Sequence, residues 1–146
     1  TDGPADGPAE GVLGGVRILL VEDNPTNRLV ARTLLTRLGA SVEEAVDGLE
    51  GLAAARDGHC DLILMDIQMP LMDGVQCACA VRGLRGPAGR VPILALTANV
   101  MAAQIAEYRA AGMNGVIAKP IAPATLLTEI ARVVAESDTG ADEVAA

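Results

Sequence analysis

The chain has 146 residues and no Trp or Phe, so its core must be built from Ala, Val, Leu and Ile around a single Tyr108. A net charge of −8 gives no basic footprint for nucleic acid, and no apolar run approaches the roughly 18 residues of a membrane span. Most of that charge is terminal: Asp2, Asp6, Glu10, Glu136, Asp138, Asp142 and Glu143 leave a body of twelve acids against eleven bases.

Residues 1–15, with the repeat Asp-Gly-Pro-Ala-Asp-Gly-Pro-Ala, read as a flexible acidic tail or linker. Residues 16–135 form one domain, and residues 136–146 an acidic, loose C-terminal tail. A first residue of Thr1 is expected of a piece cut from something longer.

The first strand is Arg17–Val21, a continuous apolar run suited to a parallel sheet buried on both faces. A helix follows from Pro25, capped by Asp23 or Asn24 and closed at Gly39, with Val30, Leu34 and Leu38 on its apolar face and Ala31 and Leu35 beside it. Ser41–Ala45 alternates and reads as an edge strand. Asp47 and Glu50 then open a helix with Leu49, Leu52 and Ala53 inward. Leu62–Met65 is the third strand, and the helix behind it carries Val75, Ala78, Cys79 and Arg82 on one face, which sends Cys79 in and Cys77 out. Ile93–Leu96 is the fourth strand, followed by a helix marked by Met101, Ile105 and Tyr108 and closed near Gly112. Val116–Ala118 is the fifth, and a last helix from Pro123 carries Leu126, Leu127, Ile130, Val133 and Val134 as one stripe. Five strand–helix repeats predict an α/β doubly wound parallel sheet of order 2-1-3-4-5.

Four of the strands end in a polar residue: Glu22 and Asp23 after the first, Asp66 after the third, Thr97 after the fourth, and Lys119, the only lysine, after the fifth. Ligands of such sheets bind outside the carboxyl ends of the strands, so these residues are expected to converge. Three carboxylates at close range repel, and a hard cation such as Mg²⁺, which takes one or two carboxylates plus phosphate oxygens, relieves them. Asp66 could then act as a carboxylate nucleophile toward a phosphoryl group, with Lys119 and the Thr97 hydroxyl stabilising its oxygens.

These residues in this order resemble the response-regulator receiver family over roughly residues 16–134. The resemblance rests on Leu20-Val-Glu-Asp-Asn24, Met65-Asp-Ile-Gln-Met-Pro70 with Met72-Asp-Gly74, Ala95-Leu-Thr-Ala-Asn99 and Ala118-Lys-Pro120. The wording is most like receivers of hybrid histidine kinases. The resemblance implies Asp66 as phosphoacceptor, Asp23 as a direct metal ligand, Glu22 as a water-mediated one and the carbonyl of Gln68 as a further one. Thr97 becomes the switch hydroxyl, Lys119 the phosphate-pairing cation, and Gln68 and Asn99 the positions that tune phosphate lifetime. It also implies a cis bond between Lys119 and Pro120. Val116 departs from the pattern, because receivers commonly carry an aromatic residue there as the lever for output.

The expected partners are a histidine kinase and a histidine phosphotransfer protein, met at Asn24, Asn27, Arg28 and Val30, with Arg28 a polar rim contact and Val30 an apolar anchor. A cytoplasmic monomer without nucleic-acid or membrane contact is expected, and its catalysis is confined to its own phosphorylation and dephosphorylation. The rival reading is a docking domain that regulates an attached kinase by contact. An aspartate-nucleophile phosphatase would need a second acid where Gln68 stands. A flavin site lacks aromatics, and a P-loop lacks its glycine–lysine signature. His59, the only histidine, excludes a self-contained phosphohistidine donor, and three cysteines without a C-x-x-C spacing read as free thiols.

Overall fold

Strands β1 (Arg17–Val21), β3 (Leu62–Asp66) and β4 (Ile93–Thr97) form the centre of a five-stranded parallel sheet, flanked by β2 (Ser41–Ala45) and β5 (Gly115–Ala118) in the order β2-β1-β3-β4-β5. The computed structural model describes residues 12–69, 72–98 and 100–145, with backbone alone for 137–145. The sheet and its order match the expectation, including the alternating, half-exposed edge strand β2.

Alternation along the central strands divides the core. Leu19, Val21, Ile63, Met65, Ile93 and Ala95 pack under α2 (Gly48–Arg56), α3 (Gly74–Arg82) and α4 (Ala102–Ala110). Ile18, Leu20, Leu62, Leu64, Leu94 and Leu96 pack under α1 (Pro25–Arg37) and α5 (Pro123–Ala145). Every one of these twelve side chains is buried. At about 25 cal/mol per Å² of apolar surface removed from water, this double-faced sheet is the main source of stability.

The helices pack through smaller residues than expected. In α1 the buried pair is Ala31 and Leu35, while Val30 is 47% exposed and Leu34 and Leu38 sit at the margin. In α2 the inward residues are Gly48, Gly51 and Ala55; Leu49 and Ala53 face out and Leu52 is half-buried. A Cβ on Gly51 would lie 2.9 Å from a Val21 methyl, so only glycine lets α2 approach β1 this closely. The buried face of α3 is Gly74, Cys77, Ala78 and Val81, which reverses the expected cysteine orientation. Cys77 donates its thiol to the Gly48 carbonyl at 3.3 Å, and burial pushes that thiol up to about 11. Cys79 is exposed.

Leu13, placed in the tail by composition, is buried beneath α1, and its N–H bonds to the Leu38 carbonyl at 2.8 Å. At the other end α5 continues to Ala145, so the segment from residue 136 is helical. No proline follows Pro123, and Arg132 spans the expected boundary by pairing with Glu129 at 2.8 Å and Glu136 at 3.1 Å. The expected tail over residues 1–11 lies outside the described residues.

At the amino ends of the strands, Arg82 gathers the chain. Its guanidinium donates to the carbonyls of Gly112 (3.0 Å), Gly89 (3.2 Å) and Val91 (2.7 Å) and to Asn114 Oδ1 (3.0 Å). Asn114 Oδ1 in turn accepts from the Ile93 N–H at 2.9 Å. One side chain thus joins α3, β4 and the loop before β5.

At the opposite end, Asp73 and Gln76 form a reciprocal capping box that starts α3, and the Gly74 N–H bonds to the Ile67 carbonyl at 2.9 Å. A Cβ on Gly74 would stand 2.5 Å from the Asp66 carbonyl oxygen, so this glycine lets α3 begin directly against the end of β3. Gly74→Ala is expected to destabilise the fold by about 1–3 kcal/mol in urea unfolding, the usual range for overpacking. Gly83→Ala, whose methyl meets nothing closer than 3.4 Å, should cost under about 0.5 kcal/mol. Equal costs would show that the Gly74 contact is relieved elsewhere.

Candidate functional site

β1 leaves the sheet at Val21, and the next two residues are Glu22 and Asp23. Their turn is clamped from three sides. Asn24 caps α1, its Oδ1 accepting from the N–H groups of Thr26 (2.9 Å) and Asn27 (3.0 Å), with Pro25 at the first helical position. The Glu22 N–H bonds to the Ala45 carbonyl of β2 at 3.0 Å. Arg28 folds back from α1 to donate to the carbonyls of Glu22 (2.8 Å) and Asp23 (3.4 Å), and it pairs with Glu44 at 3.4 Å.

Asp66 ends β3 only 3% exposed, beside Leu96 of β4. Lys119 follows β5, positioned by its N–H on the Thr97 carbonyl at 2.9 Å, and the Lys119–Pro120 bond is cis as expected. Its Nζ donates to Asp66 Oδ1 at 3.0 Å and lies 3.3 Å from Glu22 Oε1. The Gln68 N–H also reaches Asp66 Oδ1, at 3.3 Å, and the Asn24 N–H reaches Glu22 Oε2 at 3.2 Å. Glu22, Asp23 and Asp66 each offer an oxygen, all within 4.8 Å of one another. The expected residues therefore meet, with Thr97 buried at the end of β4 beside them. Asn99 lies outside the described residues.

The electrostatics are those of a crowded anionic site. Burial, then the hydrogen bond to Asp66, raise Glu22 to a pKa of about 7, against the Asn24 N–H, which favours its charge. Burial works against the Lys119 charge as well, but its hydrogen bond to Asp66 and the charges of Asp66 and Glu22 outweigh that and raise its pKa. One ammonium faces three carboxyl groups. A hard oxygen-donor set of this kind, two of the three nearly inaccessible to water, fits Mg²⁺.

One contact was not foreseen. The Tyr108 hydroxyl, from α4, lies 3.3 Å from Thr97 Oγ1, and both are buried. The signal available in the sequence was that Tyr108 is the sole aromatic residue, while Val116 occupies the position expected to hold one. Arg28 differs from expectation too. It is committed to the backbone of the acidic turn and is not a free rim residue, whereas Leu29 and Val30 beside it are exposed. Asn27, Val30, Lys119, Pro120 and Ile121 line an open cleft next to the site.

Comparison with known proteins gives a consistent result. The family model described as the response regulator receiver domain matches residues 18–131. The chain is 40% identical over 107 residues to the sensor protein GacS of Pseudomonas syringae pv. syringae, covering 72% of this chain and 12% of that protein. It is 39% identical over 108 residues to hybrid signal transduction histidine kinase G of Dictyostelium discoideum, covering 73% of this chain and 3% of the kinase. The chain thus spans only a small part of the curated relatives it matches. Among solved structures, a Pseudomonas aeruginosa PAO1 sensor histidine kinase receiver domain, with magnesium coordinated in its active site cleft, is 38% identical at a TM-score of 0.77. That match covers 83% of this chain and 98% of the other. A chemotaxis protein of Vibrio cholerae is 35% identical at a TM-score of 0.75, covering 81% and 98%.

The raised Glu22 pKa has a defined effect on the metal-free protein. Its protonated form contributes stability that is fully present below about 4.5 and is lost as pH rises through about 7. Melting temperature without metal should therefore fall between those values, and Glu22→Gln should flatten the slope. Above pH 7, Mg²⁺ at ten times its dissociation constant should restore about 1.4 kcal/mol. A wild-type slope identical to that of Glu22→Gln would refute this account of the site.

Proposed function

This chain belongs to the response regulator receiver domain family, and from that premise we propose that it takes a phosphoryl group from a phosphohistidine onto Asp66 and passes it to a histidine phosphotransfer partner. The observation that carries the proposal is Lys119, whose ammonium reaches Asp66 and Glu22 together at the mouth of the acidic turn.

In the proposed transfer an Asp66 carboxylate oxygen attacks the phosphorus, the phosphorus–nitrogen bond breaks, and the departing imidazole nitrogen keeps the electron pair and takes a proton from solvent. The product is an acyl phosphate. Lys119 neutralises charge on the phosphoryl oxygens and the Thr97 hydroxyl donates to one of them. Glu22, Asp23, Asp66 and the Gln68 carbonyl would hold Mg²⁺, which when bound supplies Lewis-acid charge to the phosphoryl group. The Arg28 and Asn24 contacts keep the acidic turn in place before metal or phosphate arrives, so little reorganisation is left for the reaction.

For the partner, the open cleft between the start of α1 and Pro120 lies beside Lys119 and carries exposed Val30. A helix bearing the histidine would set apolar residues there and bring the imidazole to Asp66. In this setting a histidine kinase supplies the phosphoryl group, and the domain acts as a monomer in the cytoplasm. Among the described residues no helix is long and apolar enough to cross a membrane.

Two measurements test the reading. A small phosphodonor with Mg²⁺ should add one phosphoryl mass to the wild type and none to Asp66→Asn, and chelation should abolish the reaction; equal mass shifts in both proteins would sink it. Val30→Glu should slow transfer from a phosphohistidine protein about tenfold, the effect of losing a modest anchor, while small-donor phosphorylation stays within about twofold. Transfer at the wild-type rate would place the docking surface elsewhere.

A further inference from the structure

We propose that the amino ends of the strands, across the domain from Asp66, carry a docking cleft for an acidic peptide segment of a partner protein, gripped by Arg56, Arg85 and Arg90. This surface is separate from the phosphoacceptor site and uses none of its residues.

The cleft opens between the end of α2 and the short 3-10 turn Gly86–Arg90 that precedes β4. It holds about 290 Å³, and its apolar wall is built from Ala55, Pro87, Ala88, Val91 and Pro92. Arg90 lines it directly, Arg56 follows Ala55 on α2, and Arg85 leads into the turn. All three arginines are exposed, and among the described residues none of them makes a side-chain hydrogen bond or ion pair. A last-turn arginine such as Arg56 offsets the dipole of its helix. Arg85 and Arg90 flank and close a turn of only five residues, so neither has an α-helix dipole to offset.

A further cation stands behind the wall. Arg82 donates to the carbonyls of Gly89 (3.2 Å) and Val91 (2.7 Å), which places its charge against the turn. Its other partners, the Gly112 carbonyl and Asn114 Oδ1, are neutral as well, and no carboxylate among the described residues pairs with it. Arg17, beside the cleft, is already matched by Asp61 at 3.3 Å. With that pair set aside, four arginines face only Asp57, at the end of α2, and Glu43, in the adjoining recess.

The chemistry selects a carboxylate-bearing polypeptide. Guanidinium groups bind carboxylates through two parallel hydrogen bonds, and a wall of alanine, valine and proline accepts small apolar side chains between the acidic ones. A nucleic acid would be repelled by a chain of net charge −8 and would find no aromatic ring to stack on in this cleft.

Fluorescence anisotropy of a labelled peptide of alternating Glu and Ala, titrated with the whole chain, tests the proposal. Wild type should bind it, and binding should fall several-fold as salt is raised to physiological strength, as expected of exposed charges. Arg56→Gln with Arg90→Gln should weaken binding about tenfold, and Arg85→Gln alone about threefold. Arg32→Gln with Arg37→Gln removes equal charge from α1, on the other face of the sheet, and should bind as wild type does. Small-donor phosphorylation of Asp66, read by intact mass, should be the same in all these proteins, so a loss of peptide binding is local to the cleft. No binding by wild type, or equal weakening in both double variants, overturns the proposal. So does displacement of the peptide by an oligodeoxynucleotide of equal charge, or a salt-sensitive dimer in sedimentation that Arg56→Gln with Arg90→Gln abolishes, since the cleft would then hold nucleic acid or a second copy of the chain.

Discussion

Three carboxyl groups held together against a single ammonium are the constraint around which this domain is built. Left alone, such groups separate or take up protons. Here they cannot separate, because each is fixed to backbone that has little room to move, and Glu22 instead holds its proton up to about pH 7. Asp66 is the last residue of a strand whose five side chains are all buried. Glu22 and Asp23 occupy a turn held by a helix cap, an arginine and the edge strand. The aliphatic sheet supplies the stability, and the site spends part of it to hold charge ready for a cation and a phosphoryl group.

The glycines belong to the same constraint. Gly74 lets α3 start against the carbonyl of Asp66, and Gly48 and Gly51 let α2 close over Met72 and Val21.

The sheet order and the convergence of Glu22, Asp23, Asp66 and Lys119 were legible because they rest on short-range signals: unbroken apolar runs, and polar residues at the points where those runs stop. Helix faces were misread where the largest apolar residue was taken as the inner one. Leu49, Val30 and Cys79 face out, and Gly51, Ala31 and Cys77 face in. On a tightly approached sheet, small residues pack, and hydrophobicity alone does not reveal that. Arg28 and Tyr108 were missed for another reason. Their roles depend on contacts with a turn and a strand end that only folding brings near; spacing put Tyr108 on a helix face without revealing Thr97 as its partner. Composition describes a segment's average, and so does not reveal that Leu13 is a single anchoring residue.

The Arg82 rosette gives the molecule two unequal poles. At one pole a guanidinium closes three carbonyls from two loops. At the other, repelling carboxylates and a lightly seated α4 leave the structure easier to open. Opening free energies should therefore be graded along the strand axis, low at the carboxyl ends and approaching the global value at the amino ends. A domain arranged in this way can loosen where a partner must enter while its fold stays anchored from the far side, so flexibility at one end does not propagate into unfolding.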